Sequence, residues 1–399
     1  MTGVEVRMIK STRELDALAP PWRRLFAASE TRSPFMTHAF VRHWWRSFGR
    51  GQALRVMLVQ DADGPCAIAP LVLARRALGP LVYQSLELIG TGALWGVGMG
   101  LADRVDLLLA ERSDESVDAI LGEIRQASDW DVLDLRGIPE TSTTARTLDA
   151  NAERGTDLVR EWRWRSPYLP LPETFDVYLA ARGKNFRRAL RRKQLRLESR
   201  GPVTIDLDAA ACDPAGALAR AADVCRRSWK GRQGTSLLLH PQIRGFLERL
   251  TVDPDSGAFV AELRVGETVV AYEFGFRMED KVWSYDSAFD SAFSDGSPGV
   301  LLTAGIIADA CTRGLLEYDF MRGDEPYKLA WTRKYRQEME YVLNAGTLRG
   351  RLARELDFQA RWRVRRNSAL VAWKTRATGA IAKLLHRVRS RRRDLDSKD

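Results

Sequence analysis

Residues 282–334 bring together the residue types that phosphate binding and proton transfer both require. Gly296-Ser297-Pro298-Gly299 leads straight into an apolar helical run. Unsatisfied backbone N–H groups therefore collect at a helix N-terminus, where an anionic group is stabilised. The predicted strand at 317–321 ends in Arg322-Gly323-Asp324, and Tyr327-Lys328 follow. A phosphate cradle between two strands, with a lysine close behind, fits a nucleotide-type acyl donor. Ser297, Gly299, Val300 and Leu301 would line the cradle and Lys328 would add charge. The plainer reading is an ordinary Pro-Gly helix start and a solvated lysine. Two acids, Asp286 and Glu273, fall on neighbouring predicted strands, where carboxylates are scarce unless the face is wet or functional. Trp229-Lys230, just before a glycine-bearing loop, suits a pocket for a second substrate, or Trp229 simply packs in a core.

The spacing of apolar residues supplies a scaffold for these groups. In the second half, residues 217–229 and 241–250 have helical periodicity. Residues 258–265, 268–277 and 281–288 alternate as a three-strand meander turning at Gly266 and at Glu279-Asp280. The first half has a similar order. A helical stretch over 15–48, anchored by Trp22, Phe40 and Trp44, precedes strands at 55–60, 67–74 and 81–89. A helix at 114–127 and a strand at 132–135 ending in Arg136-Gly137 follow. A meander, a helix and a strand ending near Arg-Gly, twice over, suggest tandem duplication. The prolines of 165–172 predict an extended crossing segment. After it comes a very basic helix, 183–201, with Phe186, Leu190 and Leu197 on one face and a solvated cationic surface elsewhere.

The net charge of +10 over 399 residues is unevenly placed. Residues 349–399 hold 16 Lys/Arg against 5 Asp/Glu, leaving 46 against 47 in residues 1–348. A near-neutral body argues against a general nucleic-acid binder. The tail, with Leu352, Leu356, Trp362, Leu370 and Trp373 among its arginines, predicts a basic amphipathic helix, suited to an anionic membrane surface or packed on the body. The four cysteines form no C-x-x-C pair, and His38, His43, His240 and His386 have no ligand spacing, so no metal is expected. The N-terminus lacks an apolar signal core, and no run of about 18 apolar residues exists to span a bilayer. The expectation is a cytoplasmic protein, peripheral at the inner membrane face through its tail.

Three stretches resemble a known family: SPFMTHAFVRHWWRSFG (33–49), NFRRALRRKQLRLESRG (185–201) with RRSWKGRQG (226–234), and SPGVLLTAGIIADACTRGLLEYDFMRGDEPYK (297–328). The chain is similar over most of its length to the CelD-like branch of the GNAT acyltransferase superfamily, relatives of the FemAB peptidyltransferases. The resemblance implies an α/β (α+β) fold of two tandem GNAT-like domains, each a mixed, mostly antiparallel sheet flanked by helices. The expected boundaries are 1–164, 165–348 with the acyl-donor site, and 349–399 as tail. It implies acyl-CoA, most simply acetyl-CoA, as co-substrate, bound where strands 282–288 and 317–321 splay apart. The implied acceptor is an amine on a small molecule or a polysaccharide or cell-envelope precursor. In that frame Asp286, ahead of Glu273, is the general base and Tyr327 protonates the leaving thiolate. Trp229, Lys230, Arg322 and Asp324 meet the acceptor. One departure stands out. The usual donor loop R/Q-x-x-G-x-G/A is reduced here to Gly296-Ser297-Pro298-Gly299-Val300, without its arginine. Two alternatives accompany this reading: an aminoacyl-tRNA-dependent FemAB-like transferase, and a non-catalytic assembly factor for exopolysaccharide biosynthesis.

Overall fold

The computed structural model describes residues 3–94, 99–110, 113–154, 157–234 and 236–358. The expected tail helix beyond 358 lies outside the described residues.

The first half runs β1 (Glu5–Ile9), α1 (Thr12–Ala17), α2 (Ala19–Ala28), α3 (His38–Phe48), β2 (Ala53–Leu54), β3 (Val56–Asp61), β4 (Gly64–Ala69), β5 (Leu71–Leu78), β6 (Leu81–Leu88), β7 (Leu108–Leu109), α4 (Ser113–Gln126), β8 (Val132–Pro139), α5 (Thr143–Glu153) and β9 (Leu158–Pro170). The second half continues with α6 (Phe175–Ala181), α7 (Lys184–Glu198), β10 (Val203–Asp206), α8 (Pro214–Arg227), α9 (Trp229–Gln233), α10 (Pro241–Val252), β11 (Ala258–Val265), β12 (Thr268–Met278), β13 (Lys281–Phe289), α11 (Pro298–Thr312), β14 (Glu317–Asp319), α12 (Pro326–Leu329), β15 (Tyr335–Asn344) and α13 (Leu348–Ala353).

Eleven strands form one sheet, in the order β10-β11-β12-β13-β14-β9-β15-β8-β6-β5-β2, and β1-β3-β4-β7 form a second. Pairing is antiparallel except at β6/β8 and β13/β14, each pair joined through a helical crossover. The protein is therefore a mixed α/β fold with a mostly antiparallel sheet flanked by helices. α11 and α8 cover opposite faces of the second-half strands, each over its own apolar cluster.

The predicted extended crossing segment is part of a central strand. β9 pairs with β15 through residues 158–167 and with β14 through Tyr168–Pro170. Its prolines are tolerated because Pro167 falls where one partner hands over to the other. The Pro167 carbonyl accepts from the Phe320 N–H at 2.9 Å, on the side where β14 has already ended. β15 slots between β9 and β8, so a late segment of the chain completes the first half of the sheet. The predicted strand at 67–74 is two strands that turn into different sheets at Pro70. The single helical stretch predicted for 15–48 falls into three helices, broken at Leu18 and over residues 29–37, where Pro34 to Met36 form a single short turn.

Candidate active site

β13 and β14 pair over Lys281–Trp283 and Glu317–Asp319 and then separate. β13 runs on to Phe289, while the other chain leaves through Met321 (φ 59°) and Gly323 (φ 108°). The opening lies beside a β-bulge. Phe274 pairs with Asp286 and Gly275 with Ser284, which leaves Tyr285 as the extra residue. Gly275 is required there, since a Cβ would sit 2.6 Å from the Trp283 carbonyl oxygen.

One wall of the opening is the start of α11. Ser297 holds a left-handed conformation (φ 47°, ψ 59°), and no side chain caps the helix. A Cβ at Gly299 would make only ordinary contact with Phe289, at 3.4 Å. Packing alone does not demand glycine there. Val300 and Leu301 turn their side chains to the core beneath α11, leaving only backbone toward the helix start. A lysine unforeseen from the sequence stands here: Lys193 of α7 donates to Ser297 Oγ at 2.6 Å. Burial, with Arg192 and Arg196 beside it, lowers its pKa. It places a cation at the helix start that the shortened donor loop lacks.

The two candidate carboxylates occupy different faces. Glu273 shares the α11 face with Tyr318, whose hydroxyl donates to Glu273 Oε1 at 2.5 Å. Burial pushes Glu273 up to about 7, against the lowering effect of Tyr318 and Ser284. Asp286 lies on the α8 face, and both its oxygens are engaged. Lys230 Nζ donates to one at 2.8 Å and Tyr272 Oη to the other at 2.6 Å. Lys230 also donates to the Ser287 carbonyl at 2.7 Å, and Cys225 Sγ lies 2.9 Å from Tyr272 Oη. Burial raises the Tyr272 hydroxyl and pushes the Cys225 thiol up to about 11, so both keep their protons at neutral pH.

The other sequence candidates divide in the same way. Tyr327 is half exposed. Burial, then the charges of Glu325, Glu273 and Asp286, push its hydroxyl up. Trp229 is also half exposed, next to Lys230. Lys328, by contrast, is buried, and its ammonium is matched by the carbonyls of Met321 (3.4 Å) and Arg322 (2.7 Å) and by Glu325 (3.0 Å). It braces the 321–328 loop. Arg322 pairs with Asp103 of the first half at 3.0 Å and stacks over Trp164, while Asp324 is exposed. Residues 101–104 had no signal in the sequence yet close this end of the sheet. Tyr285 Oη donates to the Leu101 carbonyl at 2.8 Å, and Arg104 lies over Trp283. Only long-range packing brings them there.

The opening thus combines a parallel pair that splays apart, a bulge and an uncapped helix start. Residues 184–329 match the family described as Acetyltransferase (GNAT) domain. No curated protein matches the chain. Among solved structures, FemX superposes with a TM-score of 0.58 at 12% identity, over 88% of this chain and 99% of that one. The C-terminal domain of a putative lysylphosphatidylglycerol synthetase from Agrobacterium fabrum gives 0.52 at 14% identity, covering 86% and 98%. L-PGS from Bacillus licheniformis gives 0.50 at 13%, covering 88% and 96%. At such identities the likeness is one of fold. Among the described residues no His/Cys/Asp/Glu group could hold a metal ion, and no helix is long and apolar enough to cross a membrane.

Proposed function

We propose that the GNAT-like second half transfers an acyl group, most simply acetyl, from acyl-CoA to an amine, with Glu273 as general base. The observation that carries this reading is the buried Glu273 carboxyl. It is held near neutrality between Tyr318 and Ser284, beside the splayed strands. A base poised there takes a proton from an ammonium and still releases it afterwards.

The donor phosphates rest at the start of α11, with Lys193 alongside. There the Gly299 N–H has no backbone partner among the described residues, while that of Val300 donates to the Ser297 carbonyl at 3.0 Å. The thioester enters the gap between β13 and β14. The acceptor ammonium gives its proton to Glu273, and the amine nitrogen attacks the thioester carbonyl carbon. As the tetrahedral intermediate collapses the C–S bond breaks and the thiolate leaves. Glu273, now protonated, returns its proton to sulfur, and the nitrogen, cationic after attack, gives its second proton to solvent, which leaves the amide and the free thiol. Tyr327 is a reluctant acid because its hydroxyl is pushed up; its role is a hydrogen bond to the leaving sulfur. Asp286 positions Lys230, and through it Trp229, at the acceptor side. The acceptor class favoured by the CelD-like resemblance is an amine of a polysaccharide or cell-envelope precursor.

Calorimetric titration of the full chain with acetyl-CoA tests the donor. Saturable binding is expected. Absence of binding, with an aminoacyl-tRNA bound in its place, moves the chain to the FemAB-like alternative. Absence of both supports the non-catalytic one.

A further inference from the structure

We propose that the outer face of α7 docks on an anionic lipid bilayer. The helix holds seven Lys/Arg and one acid, Glu198. At about 100° per residue, its side chains divide into two faces. Phe186, Leu190, Lys193 and Leu197 point inward. Leu197 is buried, the Phe186 ring lies 5.4 Å from that of Trp331, and Lys193 reaches Ser297. Lys184, Arg187, Arg188, Arg191, Arg192 and Leu195 point outward and are all exposed.

The outward cations are not neutralised. Lys184, Arg188, Arg191 and Arg192 make no ion pair or hydrogen bond with any described residue, and Arg187 reaches only the Leu179 carbonyl. Some arginines elsewhere on the surface are paired, Arg220 with Asp213 and Glu262 and Arg313 with Asp309 and Asp208, whereas on α7 the unpaired ones stand together on one face. Asp295, whose backbone carbonyl accepts from Arg196 of α7, already pairs through its carboxylate with Arg200. The result is a stripe about 16 Å long from Lys184 to Leu195 with no acid inside it; exposed Glu198 follows it on the same face. Its last member, Leu195, is 52% exposed among the cations.

That chemistry fits a bilayer better than a nucleic acid. A plane of anionic headgroups meets every cation of a straight stripe at once and offers an apolar layer to Leu195. Single-stranded nucleic acid is gripped by aromatic stacking platforms. The one aromatic residue of α7, Phe186, is turned inward. Because residues 1–348 hold 46 basic and 47 acidic side chains, the attraction belongs to the stripe rather than to the body as a whole. Residues 349–399 carry charge of the same sign, 16 Lys/Arg against 5 Asp/Glu. None of this depends on the acyl-transfer reading.

Co-sedimentation of the full chain with phosphatidylcholine vesicles, with and without phosphatidylglycerol, tests the proposal. Binding is expected only with the anionic lipid and is released by high salt. Arg188→Glu/Arg191→Glu/Arg192→Glu should weaken it at least about tenfold with an unchanged thermal melt. Should that variant fail to fold, the milder Arg191→Gln/Arg192→Gln should still weaken binding about threefold or more. Three results overturn the proposal. One is a folded variant that sediments like the parent, which assigns binding to another surface. The second is a parent that ignores anionic vesicles. The third is a parent that binds transfer RNA through this stripe and no vesicle.

Discussion

The parallel strand pairs β6/β8 and β13/β14 share a topology and differ in what fills the space beyond them. Each pairs over three residues, Ser85–Glu87 against Val132–Asp134 and Lys281–Trp283 against Glu317–Asp319. In the first half the pairing stops at two buried acids, and arginines grip both. Arg76 holds Glu87 through Nε at 2.7 Å and through Nη2. Arg136 holds Asp134, and Glu340 of β15 at 3.1 Å. The chain then travels from Leu88 to Ser113 before a helix begins. In the second half it travels only from Phe289 to Pro298, which sets a helix start beside the gap. There too the paired strand carries two buried acids, Glu317 and Asp319, held by Arg336, but Glu273 of the adjoining β12 pairs with hydroxyls rather than with an arginine. A carboxylate matched by guanidinium is a strut, whereas one matched by hydroxyls can exchange its proton. Both halves thus keep the brace, and the second adds, beside its splayed pair, an acid held by hydroxyls.

The largest effect should come from Glu273→Gln. Turnover should fall roughly 10²–10⁴-fold while acetyl-CoA affinity is retained. Parent turnover should rise with pH through about 7, and the variant should lose that limb. Stability has the opposite slope. The folded-state pKa lies above the ordinary 4.5, so the folded protein binds the proton more tightly. The stability this contributes is full below the unfolded value and is lost as pH rises through about 7. Thermal melts at pH 5 and pH 8 should therefore differ less for Glu273→Gln than for the parent. Unchanged turnover removes Glu273 as the base.

If the first-half pair is a strut, Arg136→Met should strand buried acids and cost about 3–5 kcal/mol of stability, read by denaturant unfolding. Acetyl-CoA affinity in the folded fraction should not change. A loss of affinity at unchanged stability would put the donor in the first half.

Gly299→Glu brings a negative charge to the helix start and should weaken acetyl-CoA binding at least about tenfold, equivalent to 1.4 kcal/mol. Calorimetry on a folded variant decides it.

The smallest effects separate the two carboxylates. Tyr318→Phe removes a hydrogen bond that lowers the Glu273 pKa, so the rising limb of the pH profile should move to higher pH. Asp286→Asn should cost less than about tenfold in turnover if Asp286 only positions Lys230. A loss matching that of Glu273→Gln would reverse the assignment.

Much of this arrangement was legible in residue order. The alternation over 258–289 marked three strands, and Ser297-Pro298-Gly299 before an apolar run marked the start of α11. Gly323, with positive φ, lies just past the strand end read at Arg-Gly, whereas Gly137, read the same way, is a bulge inside β8, which runs on to Pro139. Phe186, Leu190 and Leu197 marked the packed face of α7. These are local properties, set by side-chain period and by backbone conformations that few residues adopt. What each charge does was not legible. Asp286 and Glu273 look alike on neighbouring strands, but their roles depend on partners from distant segments: Lys230 and Tyr272 for one, Tyr318 for the other. Lys328 turned inward, and Lys193 took a place at the helix start. The insertion of β15 beside β9, and the closing of residues 101–104 over the second half, arise only when the sheet assembles. Burial and pairing energies belong to the surroundings of a group, and those surroundings come from residues far away in the chain.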